Sequence, residues 1–218
     1  MKDIRGIRGK YYIAGLIAEG EHERQDFKFA ITDARKIARS LSAFANHSGG
    51  RLLIGVKDNG AVAGVRNEED IYLVEQAAER YCIPSQTIRV DAFIAEGGAR
   101  VIRVEIDPAA DRPVMVDEGR GTQKAYYRVA DENIVAHPLM VRAWRERAAS
   151  PGMLISPDGT ERKLLDLLAD GDMSVEDFML RAHISRSRAE DVVVKMHCAA
   201  LVDFSFDGDR FVLTLSKY

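Results

Sequence analysis

Hydrophobic and polar positions change period twice between residues 26 and 59, DFKFAITDARKIARSLSAFANHSGGRLLIGVKDN. Residues 26–30 read as a short strand. Over 33–46, Ile37, Leu41 and Phe44 recur at i, i+4 and i+7 while Arg35, Lys36, Arg39 and Ser42 fall elsewhere, which predicts an amphipathic helix. Gly49 and Gly50 stop it, since glycine takes the left-handed conformation at a helix end without a Cβ penalty. Then Arg51-Leu52-Leu53-Ile54-Gly55-Val56 runs almost continuously apolar, as expected of a strand covered on both faces. The pattern is one β-α-β unit.

Residues 10–19 can form a short leading helix with Tyr12, Ile13, Leu16 and Ile17 on one side. Asp58-Asn59-Gly60 is a turn signal, and 61–65 is expected to return as a hairpin strand. Asn67 is expected to cap a helix with Glu68, Glu69 and Asp70 in its first turn, where the helix dipole favours negative charge. Ile71, Val74, Ala78 and Tyr81 continue that helix until Pro84 ends it. Residues 87–94 and 100–106 alternate as strands joined at Glu96-Gly97-Gly98, and 124–129 is a further strand. A helix over 138–147, anchored by Trp144, is expected to close the first domain, and the Pro-, Gly-, Ala- and Ser-rich stretch 148–159 reads as a linker.

The rhythm then changes. Leu164, Leu165 and Leu168 mark a helix over 161–169, and Ser174-Val175-Glu176-Asp177 opens another with a near capping box. His183-Ile184-Ser185 makes a tight turn, with Ser185 capping a third helix that buries Val192, Val193 and Met196. Residues 201–206 and 210–215 flank Asp207-Gly208 as a β-hairpin. Three helices followed by a hairpin is the order of a winged helix-turn-helix. The expected organisation is α+β: a mixed sheet with helices over 1–148, a linker over 149–159 and a winged helix over 160–218.

Composition narrows this little. The first 150 residues carry 23 basic and 22 acidic side chains and the remainder 8 and 12, so neither part is a basic arm. Cys82 and Cys198 match no metal or redox spacing and read as reduced, packed thiols. The N-terminal MKDIRGIRGK has no apolar core after it, and no run approaches the roughly 18 apolar residues of a membrane span. A cytoplasmic protein is expected.

The glycines of Ser48-Gly49-Gly50 lead out of a helix into a strand, with no Lys-Ser or Lys-Thr pair, so they are turn geometry and ATP is not an expected cofactor. The acids hold more interest. If the strands flanking the helix are parallel, Asp26 starts one and Asp58 follows the other; if antiparallel, Glu21, Asp26 and Asp58 could converge. Three converging carboxylates need a compensating Mg²⁺, Mn²⁺ or lysine, and Lys28 shares the strand face of Asp26. The bland alternative is three unrelated acids. In the third C-terminal helix, Ser185, Arg186, Arg188 and Lys195 suit phosphate and base-edge contacts. Glu190 and Asp191 follow at once, leaving a protein-contact or dimerisation role open.

Glu21 or Glu23, Asp26-Phe27-Lys28, Ala43-Phe44-Ala45-Asn46-His47-Ser48-Gly49-Gly50, Gly55-Val56-Lys57-Asp58-Asn59-Gly60 and Gly64 together resemble the Schlafen-type AlbA-like domain over about residues 15–147. Tyr127-Arg128 is similar to the family's late Tyr-Arg strand. The resemblance implies a DNA- or RNA-binding transcriptional regulator, with contacts at Lys28, Arg128, Ser185, Arg186, Arg188 and Lys195, acting as a homodimer. It also implies an alternative, a metal-dependent RNA endonuclease with Glu21, Asp26 and Asp58 as carboxylates and metal ligands and Lys28 beside them. Two positions depart from the family pattern: Asp26 stands for the usual Glu and His47 for the usual Thr. The animal nucleases join two such lobes into a clamp, which this chain could match only as a dimer.

Overall fold

The computed structural model describes residues 6–65, 69–149, 156–157 and 159–216. The chain divides into two compact units, Met1–Val135 and Ala136–Tyr218.

The first unit begins with β1 (Ile7–Arg8), α1 (Lys10–Ala18), β2 (Gln25–Lys28), α2 (Ala34–Ala45) and β3 (Gly50–Ile54). It continues with α3 (Glu69–Gln76), a π-helical turn over Ala77–Tyr81, β4 (Cys82–Ile83), β5 (Ile88–Ile94) and β6 (Arg100–Ile106). β7 (Met115–Gly119), β8 (Thr122–Val129) and β9 (Glu132–Val135) complete it. Five strands form one sheet in the order β1-β5-β6-β3-β2, with β1 parallel to β5, β2 parallel to β3, and β6 antiparallel to both of its neighbours. β4-β7-β8-β9 form a second, antiparallel sheet.

α2 packs against both sheets, with Arg35, Lys36 and Arg39 on its less buried side. Ile37, Leu41 and Phe44 share one core cluster with Leu52, Ile54, Ile102 and Val104 of the first sheet, Val116 and Tyr126 of the second and Val114 just before β7. The Asp33 side chain caps α2 by accepting from Arg35 N–H at 2.8 Å. At the other end, Gly49 has a φ of 73°, and a Cβ there would fall 2.8 Å from the Ile106 carbonyl oxygen. Gly50 opens β3, and its missing Cβ leaves room for the Phe44 ring. On the opposite face of the five-stranded sheet, Ile13 and Leu16 of α1 cover Phe27, Leu53, Phe93 and Val101.

Some expected elements differ. Residues 61–65 make one bridge, Val56 to Val62, rather than a strand, because both edges of β3 are already occupied by β2 and β6. Asn67 and Glu68, the expected cap and first-turn acid, lie outside the described residues. Asp70 is buried and accepts from Ile31 N–H at 2.7 Å, tying α3 to the loop before α2.

The second unit contains α4 (Pro138–Ala149), α5 (Gly159–Ala169), α6 (Val175–Ala182), α7 (Arg186–Cys198), β10 (Val202–Phe206) and β11 (Phe211–Leu215). α4, expected to close the first domain, packs along α7 within the second unit. Ser174 and Asp177 form a reciprocal capping box at the start of α6. α6 ends at His183 in the left-handed conformation, φ 56° and ψ 46°, with Ile184 N–H returning to the Met179 carbonyl at 3.2 Å. Ser185 then caps α7. Before α6, Met173 pairs with Leu213 of β11 through two backbone hydrogen bonds of 3.1 and 2.7 Å. Leu164, Leu168, Phe178, Val192, Val193, Met196 and Leu213 are all buried. Among the described residues no helix is long and apolar enough to cross a membrane.

Candidate functional site

β2 is the edge strand of its sheet, and the residues around it show how a polar edge can be closed. On the edge away from β3, Phe27 N–H donates to Glu21 Oε1 at 2.8 Å, and Lys28 Nζ donates to the Phe27 carbonyl at 3.0 Å. Arg128 Nη2 donates to the carbonyls of Gln25 at 3.1 Å and His22 at 3.2 Å. Unpaired edge groups invite another strand; here side chains occupy them.

The same residues form a compact charge cluster. Lys28 Nζ lies 2.9 Å from Asp26 Oδ1, and Arg128 Nη1 lies 3.9 Å from Asp26 Oδ2. Burial raises the Glu21 pKa, and a hydrogen bond with the Asp26 carboxylate raises it further, so these two carboxyls are neighbours. Arg128 is 1% exposed, with its guanidinium 4.9 Å from the Phe44 ring and its Nη1 donating to Asn133 Oδ1 at 2.9 Å. The expected nucleic-acid contact at Arg128 is thus an internal cation that joins β8 to the β2 edge.

Asp58 takes no part in this cluster. β2 and β3 are parallel, with Asp26 opposite Leu52, whereas Asp58 lies in the turn four residues beyond the end of β3. Among the described residues, no group of three or more His, Cys, Asp or Glu side chains could hold a metal ion. The places a divalent cation would take against Asp26 are filled by the Lys28 ammonium and the Arg128 guanidinium. Mg²⁺ or Mn²⁺ does not fit Glu21, Asp26 and Asp58 as they are placed, and no catalytic step is assigned to them.

At the far end of α2, His47 Nε2 lies 3.2 Å from Glu23 Oε1 and its ring meets Tyr127 edge-on at 4.8 Å. Asn46, one position earlier, is fully buried. Its amide donates to the carbonyls of Val114 and Tyr126, both at 2.9 Å, and its Oδ1 accepts from Val114 N–H at 2.7 Å. Ser42 Oγ adds bonds to the Val114 carbonyl and Tyr126 N–H. Sequence reasoning missed this hub; a pair of polar residues at i and i+4, Ser42 and Asn46, flanking the apolar run Ala43-Phe44-Ala45 was the available signal.

In the second unit the cations expected to meet nucleic acid each have an internal partner. Arg186 Nε bonds Glu190 at 2.8 Å and its Nη2 lies 3.3 Å from Glu176. Arg188 and Lys195 both face Glu161, at 3.7 and 3.0 Å. The Lys195 hydrogen bond holds the Glu161 carboxyl below its usual range. Ser185 Oγ accepts from Arg188 N–H at 3.3 Å. The side chains of Arg186, Arg188 and Lys195 nevertheless remain 69%, 53% and 42% exposed, so solvent and ligands can reach them.

A family model described as Schlafen, AlbA_2 matches residues 21–137, more than half of the chain. Among solved structures, the DIP2311 protein from Corynebacterium diphtheriae is similar at 20% identity and a TM-score of 0.45 over 72% of this chain. The match spans 32% of that longer protein. The N-terminal domain of a RecG-related protein from Nitrosomonas europaea is similar at 22% identity and a TM-score of 0.40, over 61% of this chain and 96% of that one. No curated protein matches.

Proposed function

Because this chain belongs to the Schlafen AlbA_2 family, we propose that it is a nucleic-acid-binding protein, a transcriptional regulator whose second unit works as a winged helix-turn-helix. The supporting observation is element order. α5 is followed by the Met173 bridge, α6, a left-handed turn at His183, α7 and the β10–β11 hairpin. In a winged helix that order makes α7 the helix that enters the major groove and the hairpin the wing.

Ser185, Arg186 and Arg188 then stand at the N-terminus of α7, where residues of a recognition helix reach bases and phosphates. Phosphates would compete with Glu176, Glu190 and Glu161 for these guanidiniums, so binding is moderate and salt-sensitive. Lys195, farther along α7, is a weaker contact. A homodimer would set two such helices about one helical turn of DNA apart, roughly 34 Å.

Titration of labelled duplex DNA with the protein at low salt tests the proposal. The Arg186→Ala, Arg188→Ala double variant should bind at least roughly tenfold more weakly, the effect of removing a charge-assisted hydrogen bond to phosphate. Equal binding by the double variant removes the second unit from this role.

A further inference from the structure

The face of the five-stranded sheet that carries α1 is apolar along one half and charged along the other. Phe27, Leu53, Val101 and Phe93 form the half beneath α1. Two residues back from Phe27 and Leu53 along β2 and β3, strand register sets Gln25 opposite Arg51, and the same row continues with Arg51 opposite Glu105 and Glu105 opposite Arg89. This row opens into a groove of about 360 Å³ lined by His22, Arg24, Arg51, Arg89, Glu105 and Asp107.

Two of its three arginines are already held. Arg51 Nε donates to Gln25 Oε1 at 2.6 Å, and its Nη2 pairs with Glu19. Arg89 donates both terminal nitrogens to Asp107, at 2.6 and 2.9 Å. Both carboxylate oxygens of Asp107 are thereby occupied. Arg24 differs: it is exposed, and among the described residues its guanidinium has no hydrogen-bond or ion-pair partner. Glu105, 3.6 Å from Arg89 and 3.4 Å from Arg103, is the acid that opposes an incoming anion.

We propose that this groove binds a phosphate group, with the Arg24 guanidinium as its fork, the remaining Nη1 of Arg51 beside it and Arg89 at the rim. Planar guanidinium forks match phosphate oxygens, and arginines held before binding lose little side-chain freedom on forming those bonds. The volume lies at the lower end of the range for small-ligand sites and accommodates a phosphate with its attached sugar. The phosphate belongs either to a nucleic-acid backbone or to a small phosphate ester. The groove lies within the first unit and does not depend on what α7 binds.

The test follows amide shifts of Gly50 and Arg51 in the full chain as inorganic phosphate is added, with chloride holding ionic strength constant. Shifts should saturate. Arg24→Ala should weaken binding roughly tenfold, the effect of one charge-assisted hydrogen bond, and should not disturb the fold, since Arg24 has no partner to lose. Glu105→Gln should tighten it by removing a like charge. The Arg186→Ala, Arg188→Ala double variant should titrate as the parent, which separates failure here from failure of the winged-helix proposal. Displacement of phosphate by a single-stranded oligonucleotide assigns the group to a backbone, and retention of phosphate assigns it to a small ester; both outcomes keep the site. Shifts no larger than those with chloride, or an Arg24→Ala protein that binds like the parent, overturn it.

Discussion

The two units use arginine in opposite surroundings. Arg128 of the first unit is sealed between Phe44, Asp26 and the carbonyls of the β2 edge. Arg186 of the second is an exposed side chain shared between Glu176 and Glu190. A buried cation is part of the fold, because water cannot replace its partners once it is removed. An exposed one contributes little to stability and remains available to a ligand. The family resemblance made Arg128 a candidate for nucleic-acid contact and the start of the third C-terminal helix made Arg186 one, and burial separates them.

The largest expected effect tests the buried side. Arg128→Met should destabilise the protein by about 3–5 kcal/mol in denaturant unfolding, since it strips a partner from the buried Asp26 and removes the guanidinium bonds to the Gln25 and His22 carbonyls. A change below about 1 kcal/mol would put Arg128 in the same class as the surface cations.

An intermediate effect concerns pH. His137 stacks on Phe204 at 5.2 Å, and its Nδ1 accepts from Leu139 N–H at 3.2 Å, which requires the unprotonated nitrogen. Burial lowers its pKa below the ordinary value, against the opposing pull of Glu176 and Glu190 and with a small push from Arg186. The folded state therefore binds fewer protons than the unfolded one. Its contribution is present above the unfolded pKa of about 6.5 and is lost as pH falls through that value toward the lower folded pKa. Thermal midpoints measured from about pH 7.5 down to 5.5 should fall, and His137→Asn, whose Oδ1 can take the same N–H, should flatten that part of the curve. A parallel fall in the variant would assign the loss to other groups.

The smallest effect tests the exposed side. Arg186→Ala should leave the unfolding midpoint unchanged within error, because exposed ion pairs contribute little. A marked loss would mean that the α7 pairs hold the fold and are not free to exchange for phosphates.

The β2-α2-β3 unit was legible because its period shifts from strand to helix to strand over one short stretch. The helix–turn–helix–hairpin order of the second unit was legible for the same reason. What could not be read was which neighbours each strand takes. Parallel pairing of β2 and β3 removes Asp58 from the Glu21–Asp26 pair, and β6 takes the edge of β3 that residues 61–65 were expected to fill. β7 and β9 escaped notice because Met115–Gly119 and Glu132–Val135 are short and carry acids within them. Arg128 did leave a trace: in β8 it takes an inward position two residues after the buried Tyr126, where alternation calls for an apolar side chain.

The salt dependence of DNA affinity is the most direct measurement of the proposed role. Fluorescence anisotropy of a labelled duplex from about 50 to 300 mM salt should give a steep linear fall of log affinity with log salt, because phosphate contacts release counterions. Removing Arg186 and Arg188 together should reduce that slope by about 2, one for each phosphate no longer neutralised. No binding at the lowest salt, or an identical slope in the double variant, would contradict a nucleic-acid-binding α7.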